Sequence, residues 1–221
     1  NRTSGTSNQL LGVTYGNSTF VTVGCSGTIL TSSDGTTWDN RTSGTTELLT
    51  GVTSGNGLFV TVGYTVSTST TTTTTTSSDN STTTSTTTTT EKSTTTLTSS
   101  DGVTWTLRDS GTSNELRGSI TYGNGLFVTV GWEGTLLTSS DGISWDNRTS
   151  GTTNTLQGIT YGNGLFVTVG ESGTILTSSD GTSWTSRTSG TSNHLYGVTY
   201  GNSTFMTVGE SGTILTSPDG T

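Results

Sequence analysis

Leu165-Phe166-Val167-Thr168-Val169-Gly170-Glu171-Ser172-Gly173-Thr174-Ile175-Leu176-Thr177-Ser178-Ser179-Asp180-Gly181 is the stretch whose reading decides the fold. Near-copies of it end at Asp34-Gly35, Asp101-Gly102, Asp141-Gly142 and Asp219-Gly220, and the successive intervals among the five Asp positions are 67, 40, 39 and 39. The first interval is the period of 39 enlarged by an insertion of 28, and the second carries one extra residue near Ser119. Self-similarity at such a period marks a repeat architecture.

Within a unit, short apolar runs are separated by turn residues. In the first unit they run from Leu10 to Tyr15, Thr19 to Val23, Thr28 to Thr31, and Trp38 to about Thr42. The breaks are Gly16-Asn17, Gly24, Asp34-Gly35 and Ser43-Gly44, which supply the positive φ that hairpin turns require. The chain holds 61 Thr, 32 Gly and no Ala, a composition that favours strands and turns over helices. Four short strands per unit predict an all-β chain of β-propeller blades. A β-solenoid and a β-sandwich are the competing folds. A solenoid coil is usually shorter than this period, and a sandwich would not repeat so faithfully.

The count predicts one domain, residues 1–221, closed as a five-bladed ring. Five units at the full period, with the insertion and the extra residue, would need only three more residues than the chain has. The blades are expected at about 5–43, 44–110, 111–150, 151–189, and 190–221 completed by 1–4. Asn1-Arg2-Thr3-Ser4-Gly5 matches Asn40-Arg41-Thr42-Ser43-Gly44, so the N-terminal strand is expected to pair with the last blade and close the ring. The other reading is a piece of a longer array.

Composition excludes several function classes. Net charge is −8 with only seven Lys and Arg, which opposes nucleic-acid binding and attraction to anionic membrane. No apolar run is long enough for membrane insertion. Cys25 is the only Cys, so neither an internal disulfide nor a Cys-based zinc site is expected, and no cofactor and no metal are assigned.

The stretch Ser32-Ser33-Asp34-Gly35-Thr36-Thr37-Trp38 resembles the Asp-box, or BNR, repeat of sialidases, sortilin-like receptors and photosystem-assembly-factor-like propellers. Equivalent stretches end at Trp105, Trp145 and Trp184. Asp and Gly are adjacent here, a shortened variant of the usual box. The resemblance covers nearly the whole chain outside the Thr-rich insertion. It implies a propeller in which Asp34, Asp101, Asp141, Asp180 and Asp219 cap their own turns and Trp38, Trp105, Trp145 and Trp184 pack between sheets. It leaves function open, because propellers host many functions. A ring of acid/base groups or calcium ligands is the rival reading of the Asp column. Arg2, Arg41, Arg108, Arg148 and Arg187 also recur once per unit, and are expected to hydrogen-bond from blade to blade.

Three columns differ strongly among units that are otherwise alike. The first is Gln9, Leu48, Glu115, Thr155 and His194. The second is Leu11, Thr50, Arg117, Gln157 and Tyr196. The third is Cys25, Tyr64, Trp132, Glu171 and Glu210. The first two flank an unvarying Leu, so strand alternation should point them away from that side chain. Blade topology places all three columns on one face of the disc and the Asp turns on the other. Loops on a rigid scaffold carry recognition. Trp132, Tyr64, Tyr196, Glu171, Glu210, Cys25, Arg117 and His194 are therefore the candidate contacts for a glycan or protein ligand, or for self-assembly. Neutral drift after duplication is the competing reading.

The insertion, about residues 65–94, is nearly all Thr and Ser, the composition of disordered or O-glycosylated segments. Asn80, Asn17 and Asn202 stand in glycosylation sequons. His194 is the only His, which excludes a His-based triad or a His-rich metal site. Paired carboxylates for glycoside hydrolysis would need two acids that are not repeat-equivalent, whereas Glu171 and Glu210 are equivalent. The expected function is a non-catalytic binding module from an extracellular or cell-surface setting. A structural subunit or decoration of a surface appendage or filament comes second, and a glycosidase last.

Overall fold

The computed structural model describes residues 2–79 and 81–220. The chain is all-β apart from single turns of 3-10 helix, and its strands form five separate antiparallel sheets, one per sequence unit. Unit one is β1 (Leu10–Gly16), β2 (Thr19–Gly24), β3 (Ile29–Ser32) and β4 (Asp39–Arg41). Unit two is β5 (Leu48–Gly55), β6 (Leu58–Thr76), β7 (Thr82–Ser99) and β8 (Thr106–Arg108). Unit three is β9 (Ile120–Gly123), β10 (Leu126–Val130), β11 (Leu136–Ser139) and β12 (Asp146–Asn147). Unit four is β13 (Leu156–Gly162), β14 (Leu165–Gly170), β15 (Ile175–Ser178) and β16 (Thr185–Arg187). Unit five has three strands, β17 (Leu195–Gly201), β18 (Thr204–Gly209) and β19 (Ile214–Ser217).

Each sheet is an up-and-down meander, with neighbours in chain order paired. The tight turn after the first strand is Asn-Gly in units two to four, as at Asn163 (φ 49°) and Gly164 (φ 76°), and Asn-Ser in units one and five, all at positive φ. Short side chains at positive φ let β13 fold straight back onto β14.

Among the described residues no sheet has a core of its own, and the apolar clusters lie between neighbouring sheets. Val21, Val23 and Ile29 of unit one pack against Leu49, Val52 and Phe59 of unit two. Val60 and Val62 meet Leu116, Ile120 and Phe127 of unit three. Val128, Val130 and Leu136 meet Leu156, Ile159 and Phe166 of unit four. Each β2-type strand thus sends alternate residues to opposite neighbours, as the two-residue period dictates. Stability in such an array is carried by nearest-neighbour interfaces.

Two expectations change. Among the described residues the N-terminal segment does not close a ring. Among the described residues β19 pairs with β18 alone, and residues 2–9 carry no strand pairing to unit five. Val13 is 66% exposed on the first sheet and Ile214 63% exposed on the last, where a ring would cover both. The described sheets form an open row. The physical reason is that a ring closes only when the rotation between sheets and the number of sheets complete one full turn. The repeat period does not set that rotation. The side chains wedged between sheets do.

The insertion, in turn, is paired. β6 and β7 continue outward as a two-stranded ladder from Thr65↔Ser93 to Thr76↔Thr82. Threonine is a good strand former. From Thr68↔Thr90 to Thr76↔Thr82, seven of the nine rungs repeat the same Thr–Thr cross-strand contact, and the other two pair Ser with Thr.

Candidate binding face

The three variable columns meet at one end of each sheet. In four of the five units the strand-two to strand-three link is one turn of 3-10 helix: Cys25–Gly27, Trp132–Gly134, Glu171–Gly173 and Glu210–Gly212. Its first N–H bonds the carbonyl of the first variable column. Cys25 N–H donates to Gln9 at 2.9 Å, Trp132 to Glu115 at 2.9 Å, Glu171 to Thr155 at 2.9 Å and Glu210 to His194 at 2.8 Å. In unit two the long hairpin replaces this turn, and Leu48 pairs directly with Tyr64.

The second column sits in a break of register. Pairing slips between Leu10 and Gly12, Leu49 and Gly51, Leu156 and Gly158, and Leu195 and Gly197. Leu11, Thr50, Gln157 and Tyr196 are the residues at these bulges. Simple alternation therefore does not govern their direction, because a bulge re-aims the side chain it carries. Unit three departs further: β9 starts late, at Ile120, and the extra Ser119 accepts the Ile159 N–H on its hydroxyl at 2.9 Å.

The richest constellation lies where units two and three meet. Glu115 is 1% exposed and is held by two cations. Lys92 Nζ lies 3.1 Å from its Oε1, and Arg117 Nε donates to its Oε2. Both cations also lie on the Trp132 ring, Lys92 Nζ at 3.9 Å and Arg117 Cζ at 4.6 Å from the centroid. Arg117 Cζ is 5.4 Å from the Tyr64 ring. Such cation–aromatic contacts fix the guanidinium plane and leave its outer N–H groups for a ligand. Beside them opens a cleft of about 650 Å³, walled by Arg117, Trp132, Glu133, Thr153, Thr155 and Glu171. One wall presents a cation and an indole, the other a carboxylate.

The structure thus brings Trp132, Tyr64, Arg117 and Glu171 into one neighbourhood. It does not add the others. His194, Tyr196 and Glu210 form a separate cluster in unit five. There the Tyr196 hydroxyl donates to Glu210 Oε1 at 2.9 Å, and His194 N–H donates to Oε2 at 3.2 Å. The His194 N–H is the main cause, and the Tyr196 hydroxyl the second, of a Glu210 carboxyl held below its ordinary range. The same Glu210 bond raises the Tyr196 phenol. Cys25 sits in unit one, with its thiol 3.9 Å from Gln9 Oε1. Lys92 and Glu115 escaped the sequence reading of contacts. The signal for Lys92 was that Glu91-Lys92 is the only oppositely charged pair interrupting the Thr tract.

The Asp turns lie at the other end of β3 and its equivalents. Asp101 Oδ1 accepts the N–H groups of Thr104 and Val103, both at 2.8 Å, and the Ser99 hydroxyl at 2.9 Å. These bonds, in that order, hold its carboxyl at about 2. Asp34 is lowered further, first by the Thr36 hydroxyl and then by the N–H groups of Thr37 and Thr36. Asp180 is lowered by Ser183 and Thr182 N–H, and Asp141 by Ser144 and Ile143 N–H. Asp219 accepts from Ser217 at 3.0 Å. The indoles lie inward of these turns, with Trp38, Trp105 and Trp184 at 6.5, 6.5 and 6.3 Å from Phe20, Phe59 and Phe166. Trp145 packs against the cluster that holds Phe127.

A carboxyl lowered on folding contributes stability that is present above its unfolded value near 4 and is lost as pH falls through its folded value. Melting temperature is therefore expected to fall from about pH 4 to below pH 2. Asp101→Ala should lower it at pH 7 and flatten that decline. Melts at five pH values check this, and an unchanged profile would contradict it.

Four of the five recurring Arg residues bond within their own sheet rather than from blade to blade. Arg41, Arg108, Arg148 and Arg187 each donate Nε to a Thr hydroxyl on the neighbouring strand of the same sheet, Thr31, Thr98, Thr138 and Thr177, at 2.8–3.1 Å. The once-per-unit spacing fits that cross-strand rung equally well. Of the sequon residues, Asn17 spends its amide on the carbonyls of Gly57 at 3.1 Å and Ser100 at 3.3 Å, so a glycan there would cost both bonds. Asn202 is exposed, and Asn80 lies outside the described residues. Among the described residues no cluster of three or more His, Cys, Asp or Glu could hold a metal ion. Among them, too, no helix is long and apolar enough to cross a membrane.

No family model and no curated protein sequence matches the chain. Solved structures do. YCF48 bound to D1 peptide is 17% identical, with a TM-score of 0.65 over 97% of this chain and 65% of that one. YCF48 from Cyanidioschyzon merolae is 16% identical, with a TM-score of 0.61 over 95% and 66%. The WD40 propeller domain of Doa1 is 13% identical, with a TM-score of 0.54 over 95% and 68%. The chain thus spans just under two thirds of the two YCF48 chains. At these identities the likeness speaks for fold, and the fold it shows is the β-propeller.

Proposed function

We propose that the chain is a non-catalytic binding module that takes a peptide or protein segment on its variable face. The observation that carries this reading is the Arg117–Trp132–Lys92 group, anchored on buried Glu115 and opening onto a 650 Å³ cleft opposite Glu171. Aromatic and Arg anchors beside a cleft are what protein interfaces use for most of their energy. A sugar ring would need the indole face, which the two cations already cover, so a peptide is favoured over a glycan. YCF48, a protein of like fold, has been solved with a peptide bound.

Parallel arrays of random peptides and of glycans, probed with the full chain, test this. Peptide binders are expected, with signal reduced at least ~30-fold by Trp132→Ala, the loss that a hot-spot residue gives. Peptide binding untouched by Trp132→Ala, or Trp132-dependent binding confined to glycans, would overturn it.

A further inference from the structure

We infer that the hairpin of β6 and β7 is an association arm, and that a second copy of this chain pairs its own β6 with this β6, antiparallel and edge to edge. β5 stops at Leu48, opposite Tyr64, and β8 stops at Arg108, opposite Thr96. From Thr65↔Ser93 to Thr76↔Thr82 the two strands therefore have only each other among the described residues. These twelve rungs, at the rise of a strand, make an arm about 40 Å long. Residues 67–79 and 81–90 are all exposed, so neither face of the ribbon is covered. A two-stranded hairpin on its own is marginal in water, and a further strand is one of the things that stabilise it.

The β6 edge lacks the devices that keep natural edges apart. Those devices are Pro, charge and bulges. Residues 65–78 hold no Pro and no charged side chain, and β6 pairs with β7 without a slip in register. Alternate residues of β6 aim their N–H and C=O away from β7, as in any antiparallel edge strand. The β7 edge is different, because its root is tied to the body. Lys92 Nζ lies 3.1 Å from Glu115 Oε1, the Ser93 hydroxyl donates to Glu47 Oε1 at 2.8 Å, and the Thr94 and Ser110 hydroxyls bond at 2.6 Å. Among the described residues no hydrogen bond or ion pair joins residues 65–76 to anything but β7.

Sequence and charge select a second copy as the occupant. Nine of the twelve residues from 65 to 76 are Thr, so two antiparallel copies of β6 set Thr against Thr in any register. Such β-branched pairs are favourable across strands. The whole chain carries −8, which repels a second copy, but residues 65–78 carry no charge. Antiparallel pairing sets the two bodies at opposite ends of the joined strands. The arm is several times longer than the Debye length of about 8 Å at physiological salt, so the repulsion between bodies is screened there. Pairing β6 with β6 is isologous, with a two-fold axis through the joined edge. Its product is a four-stranded sheet in the order β7-β6-β6-β7, an ordinary sheet size.

Analytical ultracentrifugation of the full chain, made in a host that adds no glycans, is expected to show a two-copy species growing with concentration. Thr70→Lys, Thr71→Lys and Thr72→Lys together should abolish it, because three consecutive Lys residues put like charges opposite each other in every central register. Thr86→Lys, Thr87→Lys and Thr88→Lys together sit directly across the hairpin from that set and should leave the two-copy species in place. This second set loads the same hairpin with the same charge, so it separates loss of the edge from loss of the arm. The β6 set made with Glu should stay at one copy alone and pair again when mixed 1:1 with the Lys set. One copy at every concentration for the wild-type chain overturns the inference and assigns the ribbon to another cover, such as O-linked sugar. Pairing that survives the β6 Lys set, pairing lost equally with the β7 set, or a mixture that stays at one copy also overturns it.

Discussion

Gly123→Ala is expected to destabilise the array by about 1–3 kcal/mol, the cost of forcing an extra carbon into a filled contact. The melting temperature should drop several degrees, since ~2–4 °C accompany each kcal/mol in a chain of this length. The new Cβ would lie 2.1 Å from Cγ of Tyr161. That ring cannot swing aside cheaply, because Phe166 lies 4.6 Å from it, centroid to centroid, and it packs on the cluster that joins units three and four. Gly201→Ala makes the matching change where nothing stands within 4 Å. There it should be neutral or raise stability by up to about 1 kcal/mol, since alanine gives up less chain entropy than glycine in a strand. Neither glycine has a positive φ, so the comparison isolates the ring contact from backbone strain. Paired thermal melts decide it. A Gly123→Ala protein that melts with the wild type would show that Tyr161 yields, and that contact would lose its claim to set the spacing between sheets.

The Gly–Tyr contact also shows where the sequence could be read and where it could not. Alternation of apolar and polar residues between Gly and Asn turns is a local property, and it predicts the four-strand unit well. That the columns of Arg117 and Trp132 share one end of the sheets was legible too, because the order of strands alone decides which loops share an end. Ring closure was not legible. It depends on the angle between neighbouring sheets, and no period in the sequence reports an angle. The bulges were hidden for a related reason. Gly12, Gly51, Gly158 and Gly197 read as plain strand glycines until the packing shows Gly12 to be 3.2 Å from Gly51 of the next sheet, measured from an added Cβ, and Gly158 equally close to Gly197. Lys92 was missed because its partner Glu115 belongs to the next unit, and no local pattern in the sequence joins the two.

That ion pair leads to the larger stability effect. Removing both cations, Lys92→Ala with Arg117→Ala, is expected to cost about 3–5 kcal/mol, the penalty for leaving a buried charge without a partner. The two sides of the cluster are not equivalent. The Glu115 side chain is 1% exposed, whereas those of Lys92 and Arg117 are 36% and 40% exposed. Stripped of its cations, the Glu115 carboxylate loses both of its charged partners. Stripped of Glu115, the cations can turn outward and be hydrated. Glu115→Gln alone should therefore cost only about 1 kcal/mol, the scale of a single hydrogen bond. Adding Glu115→Gln to the double alanine variant should restore most of its stability, because an amide carries no charge to bury. Denaturant melts of the four proteins measure this. If Glu115→Gln fails to rescue the alanine variant, the loss comes from the packing of Lys92 and Arg117 on Trp132 instead. The cluster would then be an aromatic stack that happens to hold a carboxylate, and the face presented to a ligand would be set by the indole alone.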